Sequence, residues 1–308
     1  MAGANLPAKK YQKTSPTITR LSFECTGGTT QFVDIGAALS ALNRRSYRAG
    51  VYYYVNSVEI YNNEQGVVDF HTLPDNYITK NAWNRAFRHY QKMNALVDTP
   101  RSKWHDFKVY MSNLHRTTGS LNPSLHSINA ASQVITPDEW AYSIFTSADD
   151  DGDAVQDADN FTMHMLGPHV GNSGNWTSVG AIKSYQDSRT LPANSGTPQT
   201  FADGPTDPLL NLFDFSSEEM LNEIATNLAA ANDQPPYDKD HFVGVADDHM
   251  MQVARIGTEI GAGRVGRASG FCVPFGLLCI DPQEIATPYR VVLNIASGTY
   301  HGVYAERA

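Results

Sequence analysis

Apolar positions along this chain recur mostly at the period of strands. Phe271–Ile280, FCVPFGLLCI, is apolar at odd and even positions alike, the pattern of a strand buried on both faces. After the turn-rich Asp281–Glu284, Tyr289–Ala296 repeats that pattern, and Thr299–Tyr304 resumes a β-rich run after Ser297-Gly298. The stretch from Ala268 to Ala308 therefore reads as closing strands around which the remainder folds. Earlier in the chain, Thr17–Cys25 alternates at period two. Val51–Tyr61 is rich in aromatic and β-branched residues, and Val67–Leu73 returns after the turn Asn62–Gly66, which predicts a hairpin. Strands are further expected at Asp106–Met111, Asn160–Leu166 and Trp176–Tyr185, and more weakly at His241–Ala246 and Met250–Ile256.

Helical spacing is confined to a few segments. Asp34 is positioned to cap a helix over Ile35–Tyr47. Over Thr79–Val97, Trp83, Ala86, Phe87, Tyr90 and Met93 share one face, with Lys80, Arg85, Arg88 and Lys92 on the other. Ser216 and Glu219 form a capping-box pattern opening a further helix. Gln186–Pro208 is a Ser/Thr/Pro/Gly loop of the kind that decorates a rigid scaffold. With nine or ten strands and no strand–helix alternation, the expected fold class is all-β: a jelly-roll β-sandwich with inserted helices and long loops. Residues 1–16 are a short polar arm, and residues 17–308 a single such domain.

Composition narrows the function. A hydrophobic fraction of 41% and a charged fraction of 18% suit a folded chain, and no apolar run reaches the roughly 18 residues of a membrane helix. The first twenty residues hold lysines but no apolar core, unlike a secretory signal. Cys272 and Cys279 lie inside an apolar run, where inert buried thiols are the ordinary reading. The net charge of -9 is unevenly divided. Residues 1–120 hold 15 Lys/Arg and 8 Asp/Glu, whereas residues 121–308 hold 8 and 24. Opposed faces of this kind suit packing of identical subunits, or one face turned to a polyanion; clustering of acidic loops late in the chain would give the same count.

Candidate chemistry is sparse. Asp149, Asp151 and Asp153 alternate around Gly152, with Asp157 and Asp159 following, and such carboxylates suit calcium. Gly152 falls at the sixth position of a calcium-loop frame begun at Ser147, but the twelfth is Ala158 rather than a bidentate Glu, so a solvated acidic loop competes. Lys9, Lys10 and Lys13 in the arm, and Arg44, Arg45 and Arg48 at the end of the first helix, are candidate nucleic-acid contacts; cations complementing a helix C-terminus are the plainer reading of the arginines. No catalytic set emerges. His164 and His169 straddle Gly167-Pro168 without zinc-motif spacing, and His249 follows Asp247-Asp248 with no nucleophile motif beside it. The glycines of Gly261–Gly266 lack the lysine of a phosphate loop. An enzyme is not expected.

Phe70–Tyr77 running into Asn81–Phe87, then Trp104–Tyr110 and the closing Gly298–Tyr304, resemble capsid proteins of small circular Rep-encoding single-stranded DNA viruses of the environmental kind. The resemblance implies a jelly-roll subunit in the virion, assembling with identical subunits into an icosahedral shell around a single-stranded DNA genome, with no membrane partner. One departure stands out: such capsids often begin with an arginine-rich arm, and here that region offers only Lys9, Lys10, Lys13 and Arg20. The alternative is a lectin-like β-sandwich binding sugar through calcium held by the Asp149–Asp159 loop.

Overall fold

A computed structural model describes residues 17–96, 106–118, 123–126, 133–136, 140–147, 159–172, 175–188, 226, 236–238, 241–246, 249–258 and 265–307. The first half holds β1 (Arg20–Cys25), β2 (Gln31–Asp34), α1 (Ile35–Asn43), β3 (Val51–Tyr61), β4 (Gly66–Thr72), α2 (Tyr77–Asn94), β5 (Tyr110–Ser112), α3 (Asn113–Thr117), β6 (Ser124–His126) and β7 (Ile144–Ser147). There follow β8 (Asp159–Leu166), β9 (Val170–Asn172), β10 (Asn175–Gly180) and α4 (Ala181–Asp187). The chain closes with β11 (Met251–Thr258), β12 (Val265–Val273), β13 (Leu277–Gln283), β14 (Tyr289–Ile295), β15 (Ser297–Tyr300) and β16 (Ala305–Arg307). The chain divides into two compact units, residues 1–185 with 243–308, and residues 186–242. In the second unit, Asp238 pairs with His241 at 2.9 Å and Gln186 Oε1 accepts from the Phe242 N–H at 3.2 Å. No described helix is long and apolar enough to cross a membrane.

The larger unit is an all-β sandwich with an insertion. One sheet has the order β12-β3-β14-β1-β6, with β16 also beside β3; the other has the order β11-β4-β13-β2. Every pairing in both is antiparallel. Of the eight principal strands, β1 pairs with β14, β2 with β13, β3 with β12 and β4 with β11, so the pairs nest. All connections change sheet except the long one from β4 to β11, two strands that are neighbours. Alternation aims one side chain in two at the interior. Leu21, Phe23 and Cys25 of β1 meet Tyr289, Val291, Leu293 and Ile295 of β14, and Val68 and Phe70 of β4 meet Leu278 and Ile280 of β13 in one buried cluster. β3 changes inward parity between Val55 and Val58 at a bulge opposite Asn294 and Ile295. Gly270 crosses there, where a Cβ would lie 2.2 Å from the Val55 carbonyl oxygen.

The insertion, within this unit residues 73–185 and 243–250, carries α2 and a third sheet of order β5-β8-β10-β9, with β7 also beside β8. There β8 runs parallel to both β5 and β10. Asn76 caps α2 by accepting the Thr79 N–H at 2.9 Å, and Ile78, Ala82, Trp83, Ala86 and Tyr90 bury one face. Trp83 stacks on Phe275 at 5.2 Å, fastening the helix to the sandwich, and on Phe87 of the same helix at 5.0 Å. His115 of α3 stacks on Phe32 of β2 at 4.7 Å, a second attachment.

Several expectations are corrected. Val51–Tyr61 and Val67–Leu73 are not a hairpin: β3 and β4 belong to opposite sheets, because Asn62–Gln65 carries the chain across the sandwich. Phe271–Ile280 is not one strand. A 3-10 turn at Pro274–Gly276, with Phe275 at φ 56°, breaks it into β12 and β13 in different sheets, and both-sided burial reflects that corner. The first helix stops at Asn43 rather than Tyr47, because Arg44 turns to φ 52°, ψ 41°. Of Asp106–Met111 only Tyr110 and Met111 are strand, since Asp106 and Ser143 take up backbone groups before it. Trp176–Tyr185 changes from strand to helix at Ala181. His241–Ala246 contains turns rather than strand among its described residues, with Gly244 at φ 107°. The segments 189–208 and 216–225 lie outside the described residues.

Candidate nucleic-acid and assembly surfaces

The arginines at the end of α1 occupy an exposed corner built by residues distant in sequence. Arg44 is the residue that ends the helix and Arg45 and Arg48 follow it, while the last helical turn itself holds no basic residue. Arg44 and Arg48 are exposed and Arg45 half-buried, and none forms an ion pair among the described residues. Their backbone is fixed from below. Tyr47 is buried and donates its hydroxyl to the His301 carbonyl at 2.9 Å. The Arg48 N–H donates to Tyr300 Oη at 3.1 Å, and Tyr53 Oη donates to the Arg48 carbonyl at 2.7 Å.

The same corner anchors the start of the described chain. Thr17 donates its hydroxyl to the His301 carbonyl at 2.9 Å, and Asn43 accepts from the Ile18 N–H at 2.7 Å while donating to the Ile18 carbonyl at 2.9 Å. Gly302 at φ 95° permits this closeness, since a Cβ there would lie 2.2 Å from Thr17 Oγ1. The loop supplying Tyr300, His301 and Gly302 interrupts a continuous seam along β3. Ile295 pairs with Val55, and β16 resumes with Ala305 opposite Tyr53, so residues 297–304 stand out between them. Lys9, Lys10 and Lys13 lie outside the described residues, four to eight positions before Thr17 in sequence. Sequence reasoning found the three arginines but missed the Thr17–Tyr47–Tyr300–His301 clamp. Its only signal was the Gly298–Tyr304 run, noted for resemblance rather than contact.

Of the acidic set, Asp149, Asp151, Asp153 and Asp157 lie outside the described residues. Asp159 opens β8 opposite Ser147 of β7, and the other four fall between those two positions in sequence. Among the described residues no three His, Cys, Asp or Glu side chains converge to hold a cation.

The histidines hold structure together. His164 Nε2 lies 3.0 Å from the Pro168 carbonyl, which can only accept, so Nε2 carries the proton and Nδ1 accepts from Ser178 Oγ at 2.7 Å. A serine hydroxyl on a neutral imidazole is the beginning of a nucleophile. Here both residues are completely buried, so no substrate reaches them and the pair instead bolts β8 to β10. Burial holds the His164 pKa down to about 4. His115 accepts the Met111 N–H at Nδ1 at 3.1 Å and meets Tyr142 Oη at Nε2 at 3.1 Å; burial lowers it to about 3. His169 and His249 each accept a glycine N–H at 3.1 Å. Asp34 accepts from the Ala37 N–H at 3.2 Å and from Trp140 Nε1 at 3.0 Å, yet burial still raises its pKa to about 6. All three thiols are free; burial raises each, Cys272 to about 11, so none is a ready nucleophile.

One open depression of about 510 Å³ crosses the outer face of the first sheet, lined by Arg20, Glu24, Tyr61, Asn62, Pro288 and Arg290 among others. Its floor is fixed by ion pairs of 3.1 Å between Arg20 and Glu59 and between Arg290 and Glu24. No family model matches the chain, and no curated protein or solved structure does so either.

Proposed function

We propose that the protein is a viral capsid subunit of jelly-roll fold, which associates with identical subunits into an icosahedral shell around a small single-stranded DNA genome. The observation that carries this reading is the strand order. β1-β14-β3-β12 lies over β2-β13-β4-β11, the order obtained when one long antiparallel hairpin of eight strands is rolled so that first pairs with eighth and fourth with fifth. Jelly rolls of this kind serve viral shells, lectins and cupins. The basic corner favours the shell among these: Arg44, Arg45 and Arg48, with no ion pair among the described residues, share a corner with Thr17, which follows the lysine-bearing arm in sequence. In a chain of net charge -9, a cluster of cations set apart in this way offers a polyanion a place to bind.

Analytical ultracentrifugation of the purified protein, with absorbance read at two wavelengths and with calcium or chelator, tests the reading. Large uniform particles carrying nucleic acid are expected, and their loss on chelation would locate a calcium ion at the subunit interface. A stable monomer under every condition would overturn the capsid reading; a monomer that binds glycans only with calcium would establish the lectin-like alternative.

A further inference from the structure

The outer face of α2 is a second cationic surface, distinct from the corner at Arg44. Its eighteen residues, YITKNAWNRAFRHYQKMN, contain no Asp or Glu. A helix whose exposed face is merely solvated commonly interleaves acids with bases at i, i+4 spacing. Arg85, Arg88 and Lys92 are all exposed, and none forms an ion pair among the described residues. At 3.6 residues per turn they fall within about 60° of arc, spread over about 10 Å of axis. Asn81 and Gln91, both exposed, flank the stripe with amides. Lys92 has a local reason to be there, at the helix C-terminus; Arg85 and Arg88, mid-helix, do not. The opposite face is locked. Trp83 is stacked on Phe275, and a Cβ on Gly50 would lie 2.2 Å from its ring, so the stripe is held in place rather than carried on a loose element.

We infer that the Arg85–Arg88–Lys92 stripe is a docking track for the phosphodiester backbone of single-stranded nucleic acid. The guanidinium forks and the ammonium recognise phosphate oxygens without reading bases, and they bind by releasing counterions. This inference deepens the capsid reading, because it gives the shell a genome contact on a rigid element in addition to its arm. Recognition by charge alone makes binding insensitive to sequence and steeply dependent on salt.

The test uses full-length protein and a fluorescent twenty-nucleotide oligothymidylate, with anisotropy titrations from low to moderate sodium chloride. Each lost phosphate contact lowers the slope of log Kobs against log salt by about 0.7 for a single strand, so Arg85→Gln/Arg88→Gln/Lys92→Gln should lower it by about two. Thermal melting should be unchanged, since the three side chains are exposed; Arg88→Gln alone should take about a third of the effect. An unchanged slope overturns the inference, as does wild-type protein that fails to bind the oligonucleotide. Loss of particles by the triple variant with the slope intact also overturns it, and assigns the stripe to the acidic surface of a neighbouring copy. A reduced slope in a protein that forms no particles would leave the track standing and remove the capsid reading.

Discussion

Mild acid should loosen this protein through two histidines that it keeps neutral. His115 and His164 are buried, and burial lowers them to about 3 and about 4 from the ordinary 6.5. In the unfolded chain both protonate near pH 6.5, while in the native state neither does until the pH is far lower. Between those limits the unfolded state binds about two more protons, so unfolding free energy falls by about 2.7 kcal/mol per pH unit. Asp34 acts in the opposite sense. Its raised pKa of about 6 means that the native state takes up a proton between pH 6 and about 4, where the unfolded carboxylate remains charged, which returns about 1.4 kcal/mol per unit. These three groups together predict a net loss of about 4 kcal/mol from pH 6.5 to pH 4, a large part of an ordinary domain's stability. Urea denaturation followed by tryptophan fluorescence at pH 7, 6, 5 and 4, at constant ionic strength, measures the slope. His164→Asn leaves an acceptor near Ser178 but strands the Pro168 carbonyl. It should therefore cost about 1–3 kcal/mol at pH 7 and make the acid slope shallower by about 1.4 kcal/mol per unit. Stability that holds level or rises from pH 6.5 to 4 in the wild type, or a slope unaffected by His164→Asn, would refute the burial argument.

Two further outcomes test the packing. Trp83→Ala removes the stack on Phe275 and should cost about 3–5 kcal/mol by urea denaturation; a loss under 1 kcal/mol would mean that α2 does not depend on that contact. Gly302→Ala places a Cβ against Thr17 and strains a φ of 95°. It should cost about 1–3 kcal/mol and speed proteolysis near Thr17, whereas unchanged digestion there would show that the clamp does not restrain the arm.

The β class, α2 with its buried aromatic stripe, and β11 were legible because periodicity is a local property. Which sheet a strand joins is not local. Val51–Tyr61 and Val67–Leu73 have the pattern of a hairpin, and nothing within either segment says that Asn62–Gln65 crosses the sandwich. Phe271–Ile280 misled for a related reason: apolar residues on both sides of a chain corner look like one strand buried on both faces. The arginines of the corner were visible, but the clamp joins Thr17 to His301 across nearly the whole chain and left no local trace. The Ser178–His164 bond was equally hidden, because no motif marks two groups that meet only when β8 and β10 lie side by side.

The insertion between β4 and β11 leaves and returns at neighbouring positions, since Thr72 pairs with Met251. Loop-closure entropy grows only with the logarithm of length, by about 0.6 kcal/mol per doubling, so the sandwich is nearly indifferent to how much chain is spliced there. That makes the junction a natural graft point. The two antiparallel sheets can keep their ladders while the excursion is shortened, lengthened or exchanged, as long as the Phe275 and Phe32 faces on which Trp83 and His115 rest receive some other cover. Variation in what the sandwich presents can therefore proceed without rewriting what holds it together.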